Sequence, residues 1–264
     1  MTFPAVLISL SSFGAAEVRR HGQLWFTRLS HAAGADGVEV RSELLTRPAD
    51  ELAALADAVR ELSLGIVYSS AEGLWAADGA LDLAALERAL RAAETLGARR
   101  LKMSIGGFGP ASMPAWAMLK ERLQASDVEL VIENDQLASA GTLAAMQDFF
   151  AAANDQDLFL GMTFDMANWH WVGECPLQAA LALAPQVRYV HCKGAQRQAQ
   201  RWVAVPLSES SAPWRAVLRA LPADVPLAIE YPLAGDDLLD VTRREIGALR
   251  AVIALNTARC GARA

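Results

Sequence analysis

Eight strand-like runs alternate with eight Ala-, Leu- and Arg-rich helical stretches along this chain, at a repeat of about 30 residues. The strand candidates are Ala5–Leu10, Gly37–Arg41, Gly65–Ser69, Arg100–Ile105, Glu129–Glu133, Leu160–Asp165, Val187–His191 and Leu227–Glu230. Helical stretches follow at 16–33, 48–62, 82–97, 112–125, 139–153, 175–184, 211–221 and 236–256. The strands are mostly continuous apolar runs, which is how parallel strands read when both faces are covered. Eight such units with no Pro/Gly/Ser-rich linker between them predict one closed (β/α)8 TIM barrel over residues 1–264. A doubly wound open sheet is the alternative, but no GxGxxG or GxxxxGK[ST] loop follows any strand. Several helix boundaries carry their own signals. Pro48 suits a first helical position, where its missing N–H costs nothing. Asp82 can cap the third helix, whose Leu86, Leu90 and Ala93 share one face. Gly97 stands where that helix would need a left-handed residue to end.

Composition narrows the class. With 53% hydrophobic and 20% charged residues the chain can bury a large core and does not read as disordered. A net charge of −6, with no basic run longer than Arg99–Lys102, argues against nucleic acid as a partner. Cys175, Cys192 and Cys260 are odd in number and lack CxxC spacing, so they read as reduced thiols in a cytoplasmic protein. The N-terminal apolar run has no basic residue before it and reads as a first strand, not a signal peptide. No segment approaches the roughly 18 to 20 unbroken apolar residues that cross a bilayer.

Four strands in the second half end in residues that ligate metals. Glu133 closes LVIEND, Asp165 lies in GMTFDM, His191 in VRYVHCK and Glu230 in LAIEYP. They lie about one strand–helix unit apart, so parallel neighbouring strands would bring them to one end of the sheet. In a barrel that end carries the active site. Glu133 follows Leu-Val-Ile and Glu230 follows Leu-Ala-Ile, and a carboxylate in such surroundings is costly unless it is paired or metal-bound. Three carboxylates and one imidazole suit one divalent ion, Mn²⁺, Mg²⁺ or Co²⁺, with Zn²⁺ also compatible.

The pattern IEN…DMAN…HCK…IE resembles the xylose isomerase-like barrel superfamily, and the resemblance runs over essentially the whole chain, including GVEVR at the second strand and DMANWHWVGECP after the sixth. It includes sugar and sugar-phosphate isomerases and epimerases, inosose dehydratases and endonuclease IV. Within it the chain looks most like epimerases associated with 2-ketogluconate utilisation. The resemblance implies that Glu133, Asp165, His191 and Glu230 bind the catalytic metal. It also places Arg197, six residues after His191, where ketose 3-epimerases carry a substrate-contacting Arg. Two departures stand out. Many members have Asp-x-x-His on the sixth strand, where this chain has Asp165-Met-Ala-Asn168; an amide hydrogen-bonds but does not titrate near neutrality. Many also follow the seventh-strand His with Lys-Asp, where Lys193 here precedes Gly194.

Further substrate-contact candidates are Glu39 and Arg41 on the second strand, Tyr68 and Lys102 near the ends of the third and fourth, and Asn168, Trp169 and Lys193. Glu39 and Arg41 read equally well as a structural ion pair. Trp169, His170 and Trp171 could wall a sugar site, with His170 reading equally as a surface residue. His21 and His31 in the first helix read as inert, and Trp25 and Phe26 as core or oligomer contacts. The expected chemistry is proton abstraction next to a carbonyl, with the metal gripping substrate oxygens and Glu133 and Glu230 removing and returning the proton. Epimerisation or aldose–ketose isomerisation of a sugar, sugar acid or sugar phosphate follows. A leaving group β to the carbanion would instead give a keto-sugar or inosose dehydratase or lyase. A barrel that binds sugar without turnover is the third reading. The expected partners are a small-molecule carbohydrate and at most a second copy of the chain as a homodimer.

Overall fold

The computed structural model describes residues 4–261. Eight parallel strands close into a barrel: β1 (Val6–Ser9), β2 (Gly37–Arg41), β3 (Gly65–Trp75), β4 (Arg100–Gly106), β5 (Glu129–Glu133), β6 (Gly161–Asp165), β7 (Val187–Cys192) and β10 (Leu227–Ile229). The seam is closed by Val6, Leu7 and Ile8 of β1 lying in register with Leu227, Ala228 and Ile229 of β10. The expected closed barrel is therefore present, and no sheet edge is left open at either terminal strand.

Helix boundaries follow local chemistry. Pro48 starts the helix Pro48–Glu61. The Asp82 carboxylate accepts the Ala85 N–H at 2.9 Å at the head of Leu83–Leu96. Gly97 ends that helix at φ +67, with its N–H turned back on the Ala93 and Glu94 carbonyls. The expected first helix is two helices, Ala15–His21 and Gln23–Ala32, because Gly22 adopts φ +80 and breaks the ladder between them. Thr142 likewise separates Ala138–Gly141 from Leu143–Asp155 and caps the second with its hydroxyl. The last helix spans Leu238–Gly261.

Two features exceed the sequence expectation. β3 runs beyond Ser69 to Trp75, past a register shift against β4. An antiparallel hairpin, β8 (Gly194–Gln198) and β9 (Arg201–Val205), follows β7 directly and turns at Ala199, φ +52. Among the described residues no helix is long and apolar enough to cross a membrane. Cys175 and Cys192 are free thiols, while Cys260 lies outside the described side chains.

The barrel separates its residues by strand alternation. Outward side chains and the helices form one large core. Inside, Leu7, Val67, Tyr189 and Ala228 make a second, small apolar cluster. Glu39 pairs laterally with Val67, and Arg41 with Ser69, so both point inward with them. The inward residues at the other end of the strands build the site.

Candidate active site

Glu133, Asp165, His191 and Glu230 each present one ligand atom, and these atoms lie within 4.8 Å of one another. Asp165 and His191 are wholly buried, whereas Glu133 and Glu230 keep 12% and 10% of their side chains exposed. The latter pair therefore borders whatever enters.

Each ligand has one atom held by the protein and one turned to a common point. Asp165 Oδ1 accepts the N–H groups of Ala167 at 2.7 Å and Asn168 at 2.9 Å, which leaves Oδ2. Glu230 Oε1 accepts Arg41 Nη1 at 2.6 Å, which leaves Oε2. Glu133 Oε2 is paired with the Lys102 ammonium, which leaves Oε1. His191 Nε2 lies 2.7 Å from Glu39 Oε2, which leaves Nδ1. His191 Nδ1 then stands 2.7 Å from Glu133 Oε1 and 3.0 Å from Glu230 Oε2. His191 Nδ1 and Glu230 Oε2 are both buried and neither is in hydrogen-bonding geometry with a partner, although the Lys193 ammonium lies 2.7 Å from Glu230 Oε2 as an ion pair. Buried polar atoms without partners are costly. A cation at the shared point would satisfy both. A carboxylate behind the far nitrogen of the imidazole is also the usual support of a metal-ligating His. The donor set fits one divalent ion.

The electrostatics are those of interleaved opposite charges in a largely buried cluster. Burial alone would raise Glu133, but Lys102 and His191 outweigh it and bring the carboxyl down to about 2. Burial also opposes ionisation of Glu230, and Lys193 with His191 reverses this, holding it well below the usual carboxylate range. For Asp165 burial wins over Lys193 and lifts the group to about 6. Burial disfavours the imidazolium of His191, but Glu39, Glu230 and Glu133 together raise its pKa.

The family model for the xylose isomerase-like TIM barrel matches residues 27–252, most of the chain. The chain belongs to the xylose isomerase-like TIM-barrel family. Among solved structures it is similar to an L-ribulose 3-epimerase, at TM-score 0.71 and 18% identity over 98% of this chain and 97% of that one. It is similar to the D-allulose 3-epimerase of Methylomonas sp., at TM-score 0.63 and 17% identity over 95% and 99% of the two chains. It is also similar to a probable 3-DHS dehydratase, AsbF, of Bacillus anthracis, at TM-score 0.68 and 14% identity over 93% and 98%. At such identities the likeness is one of fold. A search of curated proteins gave no match.

Within this xylose isomerase-like barrel the other candidates divide sharply. Glu39 and Arg41 do form an ion pair at 3.1 Å, but each also grips a ligand residue, Glu39 on His191 and Arg41 on Glu230. Lys102 is likewise spent on Glu133. Lys193 lies 2.6 Å from Asp165 and 2.7 Å from Glu230. Asn168 donates to the Asn134 carbonyl at 2.9 Å, and its Oδ1 lies 3.1 Å from Gln136 Nε2 and 3.3 Å from Lys193 Nζ.

Two candidates, Tyr68 and Trp169, are closed off from the barrel interior, and a third, Arg197, lies on the hairpin after β7. Tyr68 is in register with Val40 and so faces the helices, on the opposite side of β3 from Val67 and Ser69; it is part of the outer core, where burial with Glu72 and Glu43 pushes its hydroxyl up to about 12. Trp169 has no exposed surface and packs on Phe164 at 5.3 Å, so its ring face is closed to a ligand. Arg197 is exposed on the hairpin, opposite Trp202, which stacks on His170 at 4.4 Å. Of the first-helix aromatics, Phe26 is buried against Phe13, while Trp25 is 46% exposed.

Gly194 also acquires a reason. A Cβ there would lie 2.6 Å from the Val205 carbonyl oxygen and 2.7 Å from that of Pro206. The hairpin folds so closely over this position that an Asp cannot follow Lys193 unless β9 moves.

Two supporting residues were not anticipated. Asn134 clamps the Asp165 backbone in both directions, N–H to Oδ1 at 2.9 Å and Nδ2 to carbonyl at 3.1 Å. Its signal was its place directly after Glu133 in the IEN triplet. Gln23 clamps the Arg41 backbone in the same two-way manner, each bond 2.8 Å, and nothing in its helical surroundings marks it.

Proposed function

We propose that the chain is a divalent-metal-dependent isomerase or epimerase that acts on a carbohydrate by moving a proton next to a carbonyl. The observation that carries this reading is the pair Glu133 and Glu230. Each has one oxygen anchored to a fixed cation and the other turned beside His191 Nδ1, and both line the exposed side of the cluster. When bound, the ion would stabilise negative charge that develops on a substrate oxygen.

The protein's own residues do the rest. Lys102 beside Glu133, and Lys193 with His191 and then Arg41 beside Glu230, keep the two glutamates ionised, so both begin the reaction as carboxylates. One glutamate takes the proton from the carbon beside the carbonyl, and the C–H electron pair moves into the carbon framework and onto the carbonyl oxygen. The other, across the substrate, returns a proton to the opposite face for epimerisation or to the neighbouring carbon for isomerisation. Two bases on strands separated by β6 and β7 can address two faces of one small molecule. Glu39, wholly buried between Ser9, Arg41 and His191, keeps the imidazole oriented. The burial of Glu39, Asp165 and His191 strengthens these interactions.

A dehydratase of a keto-sugar is the second reading, favoured by the likeness to the probable 3-DHS dehydratase. It uses the same abstraction, with loss of a β-hydroxyl in place of reprotonation. The two readings separate in D₂O with Mn²⁺ and a panel of keto-sugars. Deuterium entering carbon with retention of every hydroxyl indicates isomerase or epimerase; loss of water indicates dehydratase. If neither occurs for any keto-sugar in a protein shown to hold Mn²⁺, the enzymatic reading is wrong.

A further inference from the structure

Lys193 carries no proton in the scheme above, yet its ammonium touches two of the four ligand residues. Nζ lies 2.6 Å from Asp165 Oδ2 and 2.7 Å from Glu230 Oε2. These are the two oxygens left over once Ala167 and Asn168 have taken Asp165 Oδ1 and Arg41 has taken Glu230 Oε1. They are the same atoms that a divalent ion would need. An ammonium and a doubly charged ion held against both oxygens at once would repel strongly among groups so buried.

We propose that the Lys193 ammonium holds the cation position in the metal-free protein and is exchanged for the ion on loading, passing to Asn168 and the substrate. This rests on the metal-dependent reading above. A receiving point is already built. Asn168 Oδ1 is 3.3 Å from Nζ and is itself fixed by Gln136 Nε2 at 3.1 Å and, through its Nδ2, by the Asn134 carbonyl. An amide oxygen at this position can only accept, so it is a standing partner for an ammonium. The exchange couples two events. The ion must displace an internal cation, which lowers its apparent affinity by the fraction of molecules in which the site is free. Once displaced, Lys193 becomes a positive group at the mouth, placed to bind a carbonyl, carboxylate or hydroxyl oxygen of the substrate. Lys193 is thus a positioning residue that ties substrate recognition to metal loading.

The test is a structure of the full-length wild-type protein with Mn²⁺, together with calorimetric titration of Mn²⁺ into wild type and Lys193→Met. The expected structure has Mn²⁺ on the four ligands and Nζ withdrawn from Asp165 Oδ2 and Glu230 Oε2 toward Asn168 Oδ1. Lys193→Met should bind Mn²⁺ on the order of tenfold more tightly. Its metal-free form should melt below wild type, with the gap closing when Mn²⁺ is added. If Mn²⁺ occupies the four ligands while Nζ stays against both oxygens, the exchange is refuted and the metal reading stands. If wild type and variant both fail to bind Mn²⁺, it is the metal reading that falls, and the exchange with it. Should the variant not fold, the Mn²⁺-bound wild-type structure decides alone.

Discussion

The two ends of the barrel interior are built from the same inward-facing strand positions, yet they hold opposite chemistry. At the N-terminal end Leu7, Val67, Tyr189 and Ala228 pack into an apolar plug. Two residues further along the same strands stand Ser9, Ser69, His191 and Glu230, and the other strands add Glu39, Arg41, Lys102 and Asp165 to the interior. β7 shows the change within a single strand: Tyr189 and His191 are successive inward residues, with their rings edge to face at 5.1 Å. The plug is cheap to build and expensive to remove, because its stability comes from packing. The mouth is the reverse. Its charges are worth having only as a complete set, since each is buried against a partner. Stability and chemistry are thus separated along the barrel axis, as they are in barrels generally.

The comparison breaks most readily at the mouth. With metal restored, Glu133→Gln and Glu230→Gln should each lower turnover about 10²- to 10⁴-fold on a genuine substrate. At least one of the two should still exchange substrate hydrogen with D₂O while failing to complete turnover. Near wild-type turnover in both would remove the two-base scheme. The plug should respond in the other currency. Leu7→Ala should destabilise the fold by about 2–5 kcal/mol in urea titration, with kcat of the folded fraction unchanged. A large fall in kcat would mean that the plug and the mouth are not separable.

Smaller effects sharpen the same contrast. Glu39→Gln keeps the volume of a buried side chain but weakens the support behind His191. It should cost about 10- to 100-fold in Mn²⁺ affinity by calorimetry. An unchanged affinity would mean that His191 needs no carboxylate behind it. Tyr68→Phe should leave both turnover and Mn²⁺ affinity unchanged, because the hydroxyl faces the helices and not the barrel interior. A loss of either would contradict the assignment of that face.

Much of the molecule was legible before its shape. The alternation of eight apolar runs with eight helical stretches predicted the closed barrel, and the strand-end Glu, Asp, His and Glu predicted four side chains at one point. Both readings work because the required information is local: periodicity over a few residues, and a ligand type at the end of a run. Asp82 and Gly97 were readable for the same reason, since a cap depends on the next three or four residues.

What escaped depends on neighbours distant in sequence. Tyr68 and Lys102 sit at similar places near the ends of their strands, and only the lateral register of β2, β3 and β4 turns one toward the helices and the other into the barrel. Trp169 is closed off by Phe164, a contact that depends on how the loop after β6 folds back. Gln23 gave no sign of gripping Arg41, because that clamp joins a helix to the strand that follows it through space. The sequence by itself determined the number of barrel strands, the end at which chemistry gathers and the kinds of ligand present. Tertiary structure decided which oxygen of each carboxylate is held and which is free. That choice is made by cations and amides, Arg41 on Glu230, Lys102 on Glu133 and the Ala167 and Asn168 N–H groups on Asp165, and most of them reach their partners only when the barrel closes.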